Sequence, residues 1–183
     1  MNFKIPKEAI EYLKKQDDVM HHLIMTNDIP KRVVYNDIKL ALIDIIIGQQ
    51  ISNAVHKVLL DRFKNAFTFE LGTLKQYCQE DFHAIGLSKR KAETIEVVIH
   101  HPLNDITDET LLSIKGIGPW TVEMVHIFYH QTLDCLALHD GGIKAAINQL
   151  YPSEQSDLYE TLKKRFSPYG TIASFYLWES LVN

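Results

Sequence analysis

The sequence predicts an all-α protein of about ten helices, because apolar residues recur at helical spacing in nearly every segment. Two further observations agree. Short polar or Gly/Pro breaks, such as Gly86-Leu-Ser88 and Ser167-Pro-Tyr-Gly170, separate the segments. Val33–Tyr35 is the one short β-branched run that could form a strand, and Pro30 bounds it. Taken in order, Lys7–Lys15 and Val19–Met25 have helical spacing. Asp37–Val58 carries the longest apolar pattern, with Leu40, Ile43, Ile47 and Ile51 three to four residues apart. Gly48-Gln-Gln-Ile-Ser52 breaks that pattern into two helices, with Ser52 capping the second. Glu70–Cys78, Lys89–His100 and Asp108–Ser113 follow, and Thr107 suits the N-cap of the last. Pro119–His130, Gly142–Tyr151, Asp157–Arg165 and Thr171–Val182 complete the set. No internal repeat, low-complexity tract or long linker interrupts the chain.

Composition narrows the class. The 183 residues, 46% of them hydrophobic, suit one ordered domain with a sizeable core. No run reaches the roughly 18 uncharged apolar residues of a membrane span. The longest, Ile38 to Ile51, is broken by Lys39, Asp44 and two glutamines. Met1-Asn-Phe-Lys-Ile-Pro-Lys-Glu8 lacks the apolar core of a secretory signal. Two cysteines, Cys78 and Cys135, are too few for a disulfide scaffold or an iron–sulfur cluster. The expectation is a soluble cytoplasmic protein, with no membrane partner. The net charge of −4 runs against an overall basic nucleic-acid footprint. Local basic clusters remain at Lys89-Arg90-Lys91 and around Lys115 and Lys144, and one such face can suffice.

Two motifs carry chemistry. Leu112-Ser-Ile-Lys-Gly-Ile-Gly-Pro-Trp-Thr121 reads as helix, glycine hairpin, helix. Gly116 and Gly118 permit positive φ and close approach of the backbone to a ligand. Pro119 suits a first helical turn, where its missing N–H costs nothing. N–H groups at such a helix start can bind a phosphate oxygen, helped by the dipole. A plain αα-turn with glycine caps would show part of this pattern. The second motif is Leu138-His-Asp-Gly-Gly-Ile143, which sets a lone carboxylate, Asp140, before another helix. Helix capping alone also explains an Asp there.

Together these strings resemble the helix-hairpin-helix DNA glycosylases, most closely the bacterial 3-methyladenine DNA glycosylase II family. The hairpin matches that family at almost every position. Asp140-Gly-Gly-Ile-Lys144 resembles its Asp-x-x-Ile-Lys segment, 20 residues beyond Trp120. Ser167-Pro-Tyr-Gly-Thr-Ile-Ala-Ser-Phe-Tyr-Leu-Trp178 resembles its closing Pro-x-Arg-Ser-x-Ala-x-x-Tyr-Leu-Trp helix. Gly48–Ser52 matches its minor-groove loop, and Gly86–Ala92 is similar too. The resemblance runs from about residue 35 to 178, without the N-terminal β domain of some relatives.

The resemblance implies a two-lobed helical fold with an active-site cleft between the lobes. One lobe would span about residues 31–135; the other would combine 1–30 with 136–183. It implies release of alkylated purines from duplex DNA in base excision repair. Asp140 would be the catalytic carboxylate, and Trp120, Met124 and Gly141 would line the base pocket. Lys115, Gly116, Ile117, Gly118, Thr121, Lys89 and Arg90 would hold the DNA backbone, with Gln50, beside Gln49, probing the minor groove. Lyase-competent relatives carry a nucleophilic Lys where this chain has Trp120, which implies hydrolysis without Schiff-base chemistry. Gly170 stands where relatives have Arg, and His139 where many have a second acid. Trp178 is expected in the core. His126 and His130 are spaced i, i+4, but lack the adjacent Glu of a zinc-protease motif. The expectation is a monomer that acts on double-stranded DNA with no catalytic metal or cofactor, a monovalent cation at the hairpin excepted. The alternative is a non-catalytic DNA-binding or damage-sensing module that kept the hairpin.

Overall fold

The computed structural model describes residues 1–151 and 157–181, and every regular element in them is a helix. These are α1 (Lys7–Gln16), α2 (Asp18–Thr26), α3 (Ile38–Gly48), α4 (Asn53–Phe67), α5 (Leu71–Leu74) and α6 (Gln79–Ala84). They continue with α7 (Lys89–His100), α8 (Asp108–Ser113), α9 (Pro119–Phe128), α10 (Gly141–Leu150), α11 (Leu158–Phe166) and α12 (Gly170–Glu179). The all-α expectation holds. The candidate strand at Val33–Tyr35 reduces to one bridge, Asn2 with Val33. The helix expected over Glu70–Cys78 is a single turn, α5. The Cys78 N–H donates to Asp81 Oδ2 at 2.9 Å and starts α6, which periodicity did not reveal. The expected run to Val182 extends past the described residues, and α12 ends at Glu179.

The chain divides into two units, Met1–Val34 with His126–Asn183, and Tyr35–Val125. This division departs from the expected one by about four residues at the first boundary and about ten at the second, and the bonding bears on both places. Arg32 bonds Glu179 at 2.6 Å, and residues 132–135 bond Thr171, so both segments go with α12.

The first unit is built around α12, in which every residue from Gly170 to Leu177 is buried. Burying each large apolar side chain there, Phe175 and Leu177 among them, contributes about 1.5–3 kcal/mol. A helix apolar on every side is stable only inside a core, and α1, α2, α10 and α11 pack around it. Two of its buried polar members, Thr171 and Ser174, are hydrogen-bonded. Thr171 Oγ1 donates to Thr132 O at 2.6 Å and accepts from Cys135 N at 3.1 Å. Ser174 Oγ accepts from Ala137 N and donates to Gly170 O, both at 3.0 Å.

The second unit repeats the plan around α3, where Ala41, Leu42, Ile43, Ile45, Ile46 and Ile47 are buried. It packs against α4 and α7. Two lysines clamp α3 and α7 at opposite ends. Lys39 Nζ, in the first turn of α3, donates to Ile99 O near the end of α7 at 2.7 Å. Lys91 Nζ, in the first turn of α7, donates to Ile47 O near the end of α3 at 2.8 Å. Each cation meets a helix C-terminus, where the dipole is negative. Loss of water around both lysines lowers their pKa values.

Candidate active site

In the first unit the site grows from one stripe of α12. Thr171, Ser174 and Trp178 are three or four residues apart, so they share a face. Thr171 and Ser174 hold the backbone of residues 132–137, as described above. Trp178 finishes the row: its Nε1–H donates to Asp140 Oδ1 at 2.9 Å. Asp140 is also the N-cap of α10, and the same oxygen accepts from Ile143 N at 2.9 Å. Two N–H donors and the positive end of a helix surround that oxygen, an environment that suits an anion. The cap expected at Asp140 is present, and the added Trp178 donor is more than capping requires.

Trp178 was expected to be a core residue, but it is only half-buried and its polar edge grips the candidate carboxylate. Arg32 lies over the same ring, 6.0 Å from its centroid. Gly142 is a second residue that sequence reasoning passed over. A Cβ there would stand 3.0 Å from Asp140 Oδ1 and 3.3 Å from Leu181 Cδ1, so a side chain would crowd the carboxylate. A Cβ on Gly141 would meet nothing within 4 Å, and Gly141 is exposed. His139 is exposed beside it.

The missing Arg at Gly170 has a local explanation. A Cβ there would come within 2.7 Å of Leu136 N, so the helix start packs too closely for a side chain. Asp134 supplies the cap instead, accepting from Gly170 N at 3.2 Å and from Ser167 Oγ at 2.6 Å.

In the second unit the hairpin joins α8 to α9. Gly116 has φ +97°, a conformation that glycine adopts without strain. A Cβ on it would lie 2.2 Å from Thr94 Oγ1. That hydroxyl lies 3.3 Å from Lys115 O, so α7 supports the turn from beneath. Gly118 differs: its φ is not left-handed, and a Cβ would meet nothing within 4 Å. It leaves the backbone just before α9 without a side chain over it.

Several of the hairpin residues are engaged within the protein. Ile117 is buried and its N–H donates to Ile114 O at 3.0 Å, so that group serves the turn rather than a ligand. Thr121 is 1% exposed and its hydroxyl accepts from Gln49, which leaves only its backbone for the helix start. Gln49 points inward: its Nε2 donates to Gly116 O and to Thr121 Oγ1, both at 3.0 Å. Of the two glutamines, only Gln50 is exposed, and it holds a left-handed φ of 55°. Met124 is 4% exposed and packs on the inner side of α9. Trp120 is half-buried in the first turn of α9, and Lys115 is exposed before it. Lys89 and Arg90 are exposed in the first turn of α7, which Ser88 caps. The hairpin carbonyls of Ile114, Lys115 and Gly116 each have a hydrogen-bond partner within the protein. A cation there would have only their second lone pairs.

Comparison with known proteins places these features in context. A family model described as HhH-GPD superfamily base excision DNA repair protein matches residues 43–169. The alkylbase DNA glycosidase-like protein mag2 of Schizosaccharomyces pombe is 29% identical over 160 residues, 75% of each chain. The putative DNA-3-methyladenine glycosylase YfjP of Bacillus subtilis is 29% identical over 173 residues, 81% of this chain but 59% of its own. Among solved structures, the 3-methyladenine DNA glycosylase of S. pombe bound to abasic DNA superposes with a TM-score of 0.82 at 21% identity. The match covers 97% of this chain and 98% of that one. An 8-oxoguanine glycosylase/lyase of Clostridium acetobutylicum gives 0.76 at 14% identity, over 98% of this chain and 71% of that one.

Proposed function

The chain belongs to the HhH-GPD superfamily of base excision DNA repair proteins, and on that premise we propose that it is a DNA glycosylase for alkylated purines without a lyase step. The observation that carries the reading is Asp140 at the N-terminus of α10, with Oδ1 held by Ile143 N–H and Trp178 Nε1–H. Cleavage of an N-glycosidic bond leaves positive charge on the deoxyribose, and a fixed carboxylate lowers the energy of that charge. A water then adds to the sugar carbon and gives up a proton, for which the same carboxylate is a suitable base. A purine alkylated on a ring nitrogen already carries positive charge, so it departs neutral and needs no strong acid.

The other roles follow from chemistry. An extruded base needs an apolar or aromatic wall, and half-buried Trp120 beside exposed Lys115 at the hairpin suits that task. The start of α9 and the exposed cations Lys89 and Arg90 suit phosphate oxygens. Gln50 suits the space that an extruded nucleotide leaves. Trp120 offers no amine at the place where a lyase holds its lysine, which supports hydrolysis alone. Double-stranded DNA is the partner, and a monomer suffices for all these roles.

Incubation of the purified chain with methylated duplex DNA, followed by chromatography, should show free methylated purines and intact abasic strands. Borohydride should trap no protein–DNA adduct. An adduct at any lysine would overturn the hydrolase reading, and absence of free base would favour the non-catalytic module.

A further inference from the structure

We propose that Gln49 is a positioning residue: it ties the loop that presents Gln50 to the phosphate-binding hairpin, so that grip on the backbone and entry into the groove share one register. The proposal rests on the reading of Gln50 as the residue that fills the vacated space. Gln49 follows the last residue of α3 and directly precedes Gln50. A carboxamide nitrogen has two N–H donors. Gln49 spends both on the hairpin region, one on Gly116 O and one on Thr121 Oγ1. Those acceptors are firmly set. Gly116 is wedged against Thr94, and Thr121 is buried in the first turn of α9.

The rest of the loop is held independently. Lys91 Nζ bonds Ile47 O at 2.8 Å just before it. The His56 ring lies 3.4 Å from where a Gly48 Cβ would stand, and Asp44 Oδ1 holds His56 Nε2 at 2.7 Å. Ser52 Oγ accepts from Val55 N at 3.4 Å and starts α4. Between these attachments Gln50 alone takes a left-handed backbone, which disfavours a side-chain-bearing residue and persists only where its surroundings over-determine it. Gln49 is the nearest of those constraints and the one that reaches the hairpin. A glutamine serving only to fill space would not need both donors. A glutamate could not replace it, because a carboxylate has none to offer.

A double-mutant cycle tests this with the full chain on methylated duplex DNA. The variants are Gln49→Leu, Gln50→Ala and the pair. The readouts are single-turnover excision, base extrusion followed by 2-aminopurine fluorescence, affinity for undamaged duplex at fixed salt, and melting temperature. Gln50→Ala should reduce extrusion and excision about tenfold. Gln49→Leu should reproduce that loss while undamaged affinity stays within about threefold, because phosphate contacts carry no base information. The double variant should be no worse than Gln50→Ala alone, the mark of residues that act as one. Multiplying losses, or a Gln49→Leu variant with wild-type extrusion, would overturn the positioning role. Wild-type behaviour of Gln50→Ala would instead overturn the probe reading beneath it. If Gln49→Leu melts early, Thr121→Val removes one of the two acceptors at nearly constant shape. It should reduce extrusion in the same direction by a smaller factor, and unchanged extrusion would overturn the proposal.

Discussion

In the unit that contains Asp140, three side chains of α12 hold a loop; in the hairpin unit, two side chains from α7 and the end of α3 hold a turn. Thr171, Ser174 and Trp178 bond residues 132–140, and Thr94 and Gln49 bond Lys115, Gly116 and Thr121. The device is shared: polar side chains, buried at Thr94, Thr171 and Ser174 and half-buried at Gln49 and Trp178, bond the groups of a loop. What it presents differs. The α12 stripe ends on one carboxylate, so on the proposed function the chemistry there depends on a side chain and its charge. The hairpin supports end on carbonyls and a hydroxyl, and on the proposed function the backbone at the start of α9 is what meets phosphate. Substitutions should therefore split excision from binding in the first unit and weaken binding to all DNA in the second.

The largest expected effect on stability tests the second half of that comparison. Gly116→Ala forces a Cβ against Thr94 in a left-handed backbone. It should cost roughly 3 kcal/mol, a fall in melting temperature on the order of 10 °C, and weaken damaged and undamaged duplex alike. Calorimetry and a binding series at one salt concentration measure both. A variant that melts and binds like wild type would break the account of the hairpin. An intermediate effect tests the first half. Trp178→Phe keeps the ring but removes the donor to Asp140 Oδ1, and should lower single-turnover excision about tenfold, ~1.4 kcal/mol in barrier. Affinity for DNA should not change; if it falls in step with excision, Trp178 is packing and nothing more. Trp120→Ala should likewise lower excision of methylated purines more than it lowers undamaged-DNA affinity, since stacking is made with the extruded base. The smallest effect sharpens the contrast between the two glycines. Gly118→Ala adds a methyl to open space without backbone strain, so its melting temperature should stay within about 1 °C of wild type. Any loss of affinity there reports the backbone's approach to phosphate alone.

What the sequence made legible follows the range over which each signal acts. Helix periodicity, the Ser52, Thr107 and Asp140 caps, and the break at Gly48–Ser52 depend on residues within one turn, and all appear in the structure. Helix α6 escaped notice because it is short and depends on the capping contact of Asp81 with Cys78 rather than on an apolar stripe. The tasks of Gln49 and Trp178 were hidden for a different reason. Their partners lie 67 and 38 residues away along the chain, and neither residue type announces a long-range hydrogen bond. Gly170 read as a lost functional Arg because sequence does not show that Leu136 N packs against it. Gly116 and Gly118 looked equivalent as letters, and only the backbone separates them.

The central claim is that charge at Asp140 does the chemistry while the hairpin does the holding. One preparation of Asp140→Asn measures both, by duplex affinity at fixed salt and by single-turnover release of methylated purine. The amide keeps an oxygen to accept from Ile143 N and Trp178 Nε1 but carries no charge. The expected result is affinity within about twofold of wild type and excision reduced by at least roughly a thousandfold, ~4 kcal/mol in barrier. Excision within about threefold of wild type, in a protein that still binds DNA, would contradict the account.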